Sequence, residues 1–341
     1  MRERSYMKSQ IFVVLIVVAI HSIIPSCSFH ESDAYIPPVT GVVFTSSDEA
    51  WVLTRKGILK RISTDGQSIT VVDAQQRVQG MSFISPSQGW TVDSDWNVWH
   101  FDGVGWTFVG HNDDDDNKFG LVWPSSVSFA DEKVGWARTL EPLFLTDDGG
   151  RTWQKVLVTE PGEFIRLSVI DRDTAFLYSE NGSVRRTTDR GKTWRVVLLG
   201  AGYPGSVTSL ACRNGVSGEC WAGTATGELF AISKDSAATR MPLPQTFGHI
   251  GIFSISFGGT SGSSFVAGGT YGEHPVGLLL RTDDGGQTWN KVEVPHVEAR
   301  HDDRFEHVAS FGSTIWLASD TAIYRSSDGG VSWAKVYDAN N

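Results

Sequence analysis

The sequence predicts an all-β protein, a seven-bladed β-propeller with four-stranded antiparallel blades. Three observations carry that expectation. An eight-residue motif recurs four times, decayed copies fill the gaps at a period near forty residues, and the intervening runs alternate apolar and polar residues with almost no helical periodicity.

The motif is Ser/Thr-x-Asp-x-Gly-x-Ser/Thr-Trp, the Asp-box. It reads Thr146 to Trp153 with Asp148 and Gly150, and Thr187 to Trp194 with Asp189 and Gly191. It returns as Thr282 to Trp289 with Asp284 and Gly286, and as Ser326 to Trp333 with Asp328 and Gly330. The residue types suit a tight hairpin. The Asp accepts hydrogen bonds from backbone further along the turn, the Gly supplies positive φ, and the Trp returns to bury a large ring. Each box is therefore expected between the third and fourth strands of a blade. A catalytic or metal-binding Asp is the competing reading, but a catalyst is not needed four times over.

Decayed copies stand at Ser63-Thr64-Asp65-Gly66, Asp102-Gly103-Val104-Gly105-Trp106 and Ser233-Lys234-Asp235. The anchors 65, 102, 148, 189, 235, 284 and 328 are spaced 37, 46, 41, 46, 49 and 44 residues apart. Upstream of each anchor lies a strand–turn–strand signature, such as Met81-Ser82-Phe83 leading to Gly89-Trp90-Thr91-Val92. A lone blade buries only one face, so seven copies must stack in a ring. The first and last copies both look complete, which leaves the mode of closure open.

The N-terminus reads as a targeting segment. Arg2, Arg4 and Lys8 precede an apolar run from Ile11 to Ile20, too short for a spanning helix. Ile24-Pro25-Ser26-Cys27 resembles the lipobox of bacterial lipoproteins, with Pro25 a departure from the usual pattern. The expected organisation is a lipoprotein-type signal peptide at 1–26, a tether at 27–37 beginning with lipidated Cys27, and the propeller at 38–341. The alternatives are an ordinary cleaved signal or an uncleaved anchor. The expected location is the cell envelope, exported and lipid-anchored on the periplasmic or luminal side. In an oxidising compartment Cys212 and Cys220, flanking a Gly-containing loop, are expected to form a disulfide across a hairpin; two buried thiols are the alternative.

The 341-residue chain carries a formal net charge of −10, which argues against a nucleic-acid partner. Loss of residues 1–26 removes three basic residues and one acid and leaves −12. Neither the run Asp113 to Asp116 nor the histidines His296, His301 and His307 have the spacing of a defined metal site, so no metal or cofactor is expected. Arg186, Arg281 and Arg325 each immediately precede a box, and Arg166 and Arg185 lie nearby in blade four. These five are the candidate partner-binding residues, as a stripe for an acidic surface. Internal pairing with acids near the boxes is the alternative.

Leu279-Leu280-Arg281 running into the box at Thr282 to Trp289, with Gly-Trp upstream and a forty-residue repeat, resembles the photosystem II stability and assembly factor family. The resemblance covers all seven repeats, best in three, four, six and seven. It implies a non-catalytic scaffold that docks on membrane-protein subunits through an Arg-rich patch; the expected partners are such subunits or other envelope proteins, and the protein is expected to be a monomer. The rival class is an Asp-box glycoside hydrolase of sialidase type. Sialidases resemble six-bladed rings with an Arg-Ile-Pro entry, whereas this chain has Tyr35-Ile36-Pro37 and seven copies.

Overall fold

Side chains that alternate along a strand give it two faces, and in the second strand of each described blade both faces are buried. Each sheet must then be covered on both sides, and the covering is supplied by its neighbours in a ring. The computed structural model describes residues 39–64, 68–72, 77–112, 125–139, 143–156, 158, 166–200, 205–213, 219–244, 250–258, 262–271, 275–295 and 304–339. The expected signal segment, Cys27 and the expected tether lie outside the described residues, as do Asp65, the run Asp113 to Asp116, His296 and His301.

The described residues form seven four-stranded antiparallel sheets, each with its strands in chain order. The first strands of successive blades lie against one another. Val39–Phe44 touches Val78–Ser85, which touches Ser126–Phe129, which touches Arg166–Val169; Val207–Cys212 touches Ile250–Phe257, which touches Phe305–Phe311. These strands surround the axis, and the fourth strands lie outermost. Each first strand therefore runs from the face of the inter-blade links toward the face of the boxes.

Hydroxyls join the inner strands from blade to blade. Ser82 Oγ accepts from Phe129 N at 2.8 Å, and Ser168 Oγ donates to Leu210 O at 3.1 Å. Ser209 Oγ donates to Ile252 O at 3.3 Å, while Ser254 and Ser256 Oγ accept from Val308 N and Ser310 N, each at 3.1 Å. Adjacent blades offer their inner edges at an angle that no regular ladder bridges, so short hydroxyl side chains satisfy the backbone.

The apolar core is divided into seven clusters, one at each junction between blades. Trp51 and Leu59 pack on Val78 and Phe101; Trp90 on Val127 and Phe129; Trp136 and Leu143 on Ala175 and Leu177. Phe176 and Val197 meet Leu210 and Phe230, Trp221 and Leu229 meet Ile252 and Leu280, and Phe265 and Leu279 meet Ile315 and Leu317. The seventh cluster joins Trp316 and Ile323 of the last blade to Val42 and Ile62 of the first. A Trp or Phe removed from water at such a junction contributes roughly 2–3 kcal/mol by area alone. The second strand is sandwiched most completely, and Thr314–Ser319 is buried along its whole length.

Closure uses no shared strand, because blade one (Val39–Phe44 through Ser68–Val72) and blade seven (Phe305–Phe311 through Ala334–Asp338) are each complete sheets. Side chains latch the seam instead. Trp316 Nε1 donates to Ser46 O at 3.0 Å, and Lys60 lies over the Tyr337 ring at 5.3 Å. Trp90 plays the part of Trp316 between blades two and three, donating to Gly149 O at 3.1 Å.

Candidate docking surface

The boxes form one rim, each between the third and fourth strands of its blade. Asp148 Oδ1 accepts from Arg151 N at 3.0 Å and Thr152 N at 2.9 Å, while Thr152 Oγ1 donates to Oδ2 at 2.7 Å. Thr146 Oγ1 donates to Asp148 at 2.9 Å and accepts from Gly150 N at 2.9 Å. The same net recurs around Asp189, Asp284 and Asp328. Two consecutive left-handed residues make the turn, at φ 79° and 92° for Gly149 and Gly150. In the second box Arg190 takes the first of these at φ 61°, a conformation that only Gly adopts without cost.

Hydrogen bonds from Thr152 and Thr146 and from the turn backbone hold Asp148 below the usual carboxylate range against the opposing effect of desolvation, and Thr193 and Thr187 do the same for Asp189. Carboxylates committed in this way are poorly placed to act as nucleophile or proton donor. The box Trp rings turn back into the junction with the preceding blade. Trp153 packs with blades two and three, Trp194 with three and four, Trp289 with five and six, and Trp333 with six and seven. Three of the indoles end on the turn itself, Trp153 Nε1 donating to Gly150 O at 3.2 Å, Trp289 Nε1 to Gly286 O at 3.1 Å and Trp333 Nε1 to Gly330 O at 3.2 Å.

The arginines ahead of the boxes face the next blade. Arg186 pairs in register with Phe176, stacks on it at 5.4 Å, and donates from Nη1 to Ser233 O at 3.1 Å and Lys234 O at 2.6 Å. Arg281 donates to Asp283 at 2.9 Å and Ser263 at 3.3 Å, and reaches Gly329 O at 3.4 Å. Arg325 lies over Trp316 and donates to Ser47 O at 2.9 Å and Asp48 at 3.3 Å. One rule covers all three: a third-strand Arg opposite a second-strand aromatic grips the rim of the following blade.

Sequence spacing missed a fourth Arg in this register, one that pairs within its own blade. Arg61 stands opposite Trp51, as Arg186 stands opposite Phe176, and it pairs with Glu49. Its box copy starts one residue later than the register requires: Ile62, not Ser63, occupies the place of Thr187. The aromatic-to-Arg register is the signal that would have found it.

Arg166 and Arg185 do not extend this row. Arg185 shares a face with Leu177 and Val196, while Arg166 shares the other face with Tyr178 and Val184. Arg185 lines a cleft of about 260 Å³ at the edge of blade four, with Asn181, Ser183, Val196 and Leu198. Val196 and Leu198 are unusually exposed for their type, at 51% and 74%. At the box rim of blade five, Cys212 stands directly opposite Cys220 and the two sulfurs are bonded at 1.91 Å. Among the described residues no group of three His, Cys, Asp or Glu is arranged to hold a metal ion.

Seven closed blades with a hydrogen-bonded Asp-box rim define the class, an Asp-box propeller whose repeated motif is architectural. The sequence profile of the photosynthesis system II assembly factor YCF48 matches residues 62–242, over half of the chain, and the chain belongs to that family. It is 24% identical over 274 residues to the photosystem II assembly lipoprotein Ycf48 of Synechococcus sp. (strain CC9902), covering 77% of this chain and 76% of the relative. Among solved structures it resembles YCF48 bound to D1 peptide, at 21% identity and a TM-score of 0.55, covering 76% of this chain and 81% of that one. It also resembles the GH74 enzyme of Niastella koreensis, at 10% identity and a TM-score of 0.68, over 89% of this chain and 54% of the enzyme. These structural likenesses are likenesses of fold.

Proposed function

We propose that this protein is a non-catalytic scaffold that binds segments of membrane-protein subunits while their complex assembles, held at the envelope membrane by a lipid on Cys27. The family match across residues 62–242 is the observation that carries the reading. The related YCF48 is seen with a D1 peptide, and the proposal gives this chain a partner of the same kind, an extended segment of a membrane-protein subunit. The commitment of the box carboxylates to their own turns favours a scaffold over a hydrolase, since glycoside hydrolysis requires two positioned acidic groups or an equivalent nucleophile.

The edge of blade four is the proposed contact. Arg185 supplies charge, Val196 and Leu198 supply apolar area, and the outer strand Arg195–Val197 offers an edge to which an extended peptide can add. Arg186 supports this surface by fixing blade five against blade four. The experiment is a pull-down from detergent-solubilised membranes of the native source with the full chain, the bound proteins being identified by mass spectrometry. Enrichment of a membrane-protein subunit, lost with Arg185→Glu and Leu198→Asp, is the expected result. Recovery of none, or hydrolysis of a β-glucan or sialoside panel by the purified protein, would overturn the reading.

A further inference from the structure

One place along the box rim breaks the arginine rule with a side chain that titrates. Opposite the second-strand aromatic, four blades carry Arg61, Arg186, Arg281 and Arg325, two carry Leu145 and Ala231, and blade two carries His100. Of these side chains, only the imidazole changes its charge near neutral pH. His100 lies against Trp90 with 4.8 Å between ring centres, as Arg325 lies over Trp316. Trp90 stacks on Phe129 of blade three at 4.1 Å and donates from Nε1 to Gly149 O at 3.1 Å. Gly149 N donates in turn to Lys133 O at 2.9 Å, in the first turn of blade three. That turn is the counterpart of the one Arg325 grips, since Glu132 and Ser47 are each the third residue past the end of a first strand.

We propose that His100 makes the junction of blades two and three the pH-sensitive joint of the ring, closed while the imidazole is neutral and loosened when it is protonated. The direction follows from its hydrogen bond. Nε2 lies 2.7 Å from Gln88 Oε1, an acceptor on its own blade, and so carries the proton of the neutral ring. Protonation adds a second N–H at Nδ1, for which the described residues offer no acceptor. The new donor and charge are then half-buried against Trp90, and both are better solvated if the ring swings out to the rim. An arginine is charged at every pH, and its longer side chain reaches carbonyls of the next blade, as Arg325 does at Ser47 O.

The charges that act on His100 come from both blades: Asp102 from its own turn, and Glu132 and Arg151 from blade three. Asp102 is committed to that turn, accepting from Val104 N and Gly105 N at 2.9 Å each, and Glu132 is exposed. Among the described residues neither acid forms an ion pair with the ring, so neither supplies the missing acceptor. Burial is the largest influence and, aided by Arg151, holds the His100 pKa below the ordinary 6.5 against the pull of Asp102 and Glu132. Below pH 6.5 the unfolded chain therefore binds more protons than the folded one, and the stability that His100 contributes falls as the pH drops through its native pKa.

The test follows the Trp90 indole N–H by NMR in the full chain between about pH 8 and pH 5, the range in which an imidazole titrates. The Trp90 resonance is expected to shift with a midpoint below pH 6.5 and to lose protection from solvent exchange on the acid side. The Trp316 indole, held on Ser46 O beside an arginine, should keep its position and its protection. His100→Gln should abolish the Trp90 shift. His100→Arg should abolish it too, and should raise the denaturation midpoint at the acid end above that of the wild type. A Trp90 resonance that stays still in the wild type, one that still titrates in both variants, or an equal response at Trp316 would overturn the proposal. No partner enters these readouts, so the joint and the scaffold reading stand or fall separately.

Discussion

Arg325 of the last blade donates to the backbone oxygen of Ser47 in the first at 2.9 Å, joining residues that are 278 positions apart in sequence. No strand is exchanged at this seam, so the guanidinium, the Trp316 indole on Ser46 and one apolar cluster hold the ring shut. Arg325→Ala is expected to cost about 1–3 kcal/mol in urea unfolding. Arg325→Lys should recover part of this, because an ammonium can reach one acceptor but cannot reproduce the fork. A loss no greater than that of an exposed lysine such as Lys335→Ala would show that the latch is idle.

The box tryptophans make a sharper comparison. Trp289 is 7% exposed in the junction between blades five and six, whereas Val331 in the tip of the last box is 85% exposed. Trp289→Ala should destabilise by about 3–5 kcal/mol, and Val331→Ala should stay within about 0.5 kcal/mol. Comparable midpoints of chemical denaturation for the two variants would contradict the assigned packing.

Stability should depend on pH through His307. Its native pKa lies near 4 against an ordinary 6.5, so between these values the unfolded chain binds more protons than the folded one. Stability is therefore complete above about pH 6.5 and falls as the pH drops toward 4, by on the order of 3 kcal/mol from this group. His307→Gln should flatten that part of the profile. The box carboxylates act lower down: their depressed pKa values give stability that is present above the ordinary carboxylate range and lost as pH falls below it. Identical profiles for the wild type and His307→Gln between pH 4 and 6.5 would refute the assignment.

Cys212 and Cys220 are 8 residues apart, so their bond closes a short loop. Chain-entropy reasoning gives such a crosslink roughly 2–3 kcal/mol. The double variant Cys212→Ser, Cys220→Ser should lower stability by that order without altering the fold. Two reactive thiols in the unreduced, denatured protein would show the bond to be absent.

The ring was legible because its physical cause is local and repeated. A Thr, an Asp and a Gly at fixed spacing close a turn using only each other, so the boxes ending at Trp153, Trp194, Trp289 and Trp333 could be read directly as hairpins. Blade count followed from spacing even where the box had decayed to Ser233 to Asp235. Partnerships between blades were not legible in the same way. Arg186, Arg281 and Arg325 look like a surface stripe in sequence, but their partners lie 47, 48 and 278 residues away on the next blade. Arg61 was hidden because its box copy is out of step with the strand register by one residue.

The sequence by itself determined the unit and its number: a four-stranded sheet closed by a hydrogen-bonded turn, made seven times, since both the turn chemistry and the apolar alternation act over a few residues. Only the tertiary structure decided how the ring shuts, that Arg166 and Arg185 leave blade four by opposite faces, and that Arg186, Arg281 and Arg325 grip the blade that follows. Those outcomes depend on the angle between neighbouring sheets, which brings together groups whose separation along the chain carries no trace of the encounter.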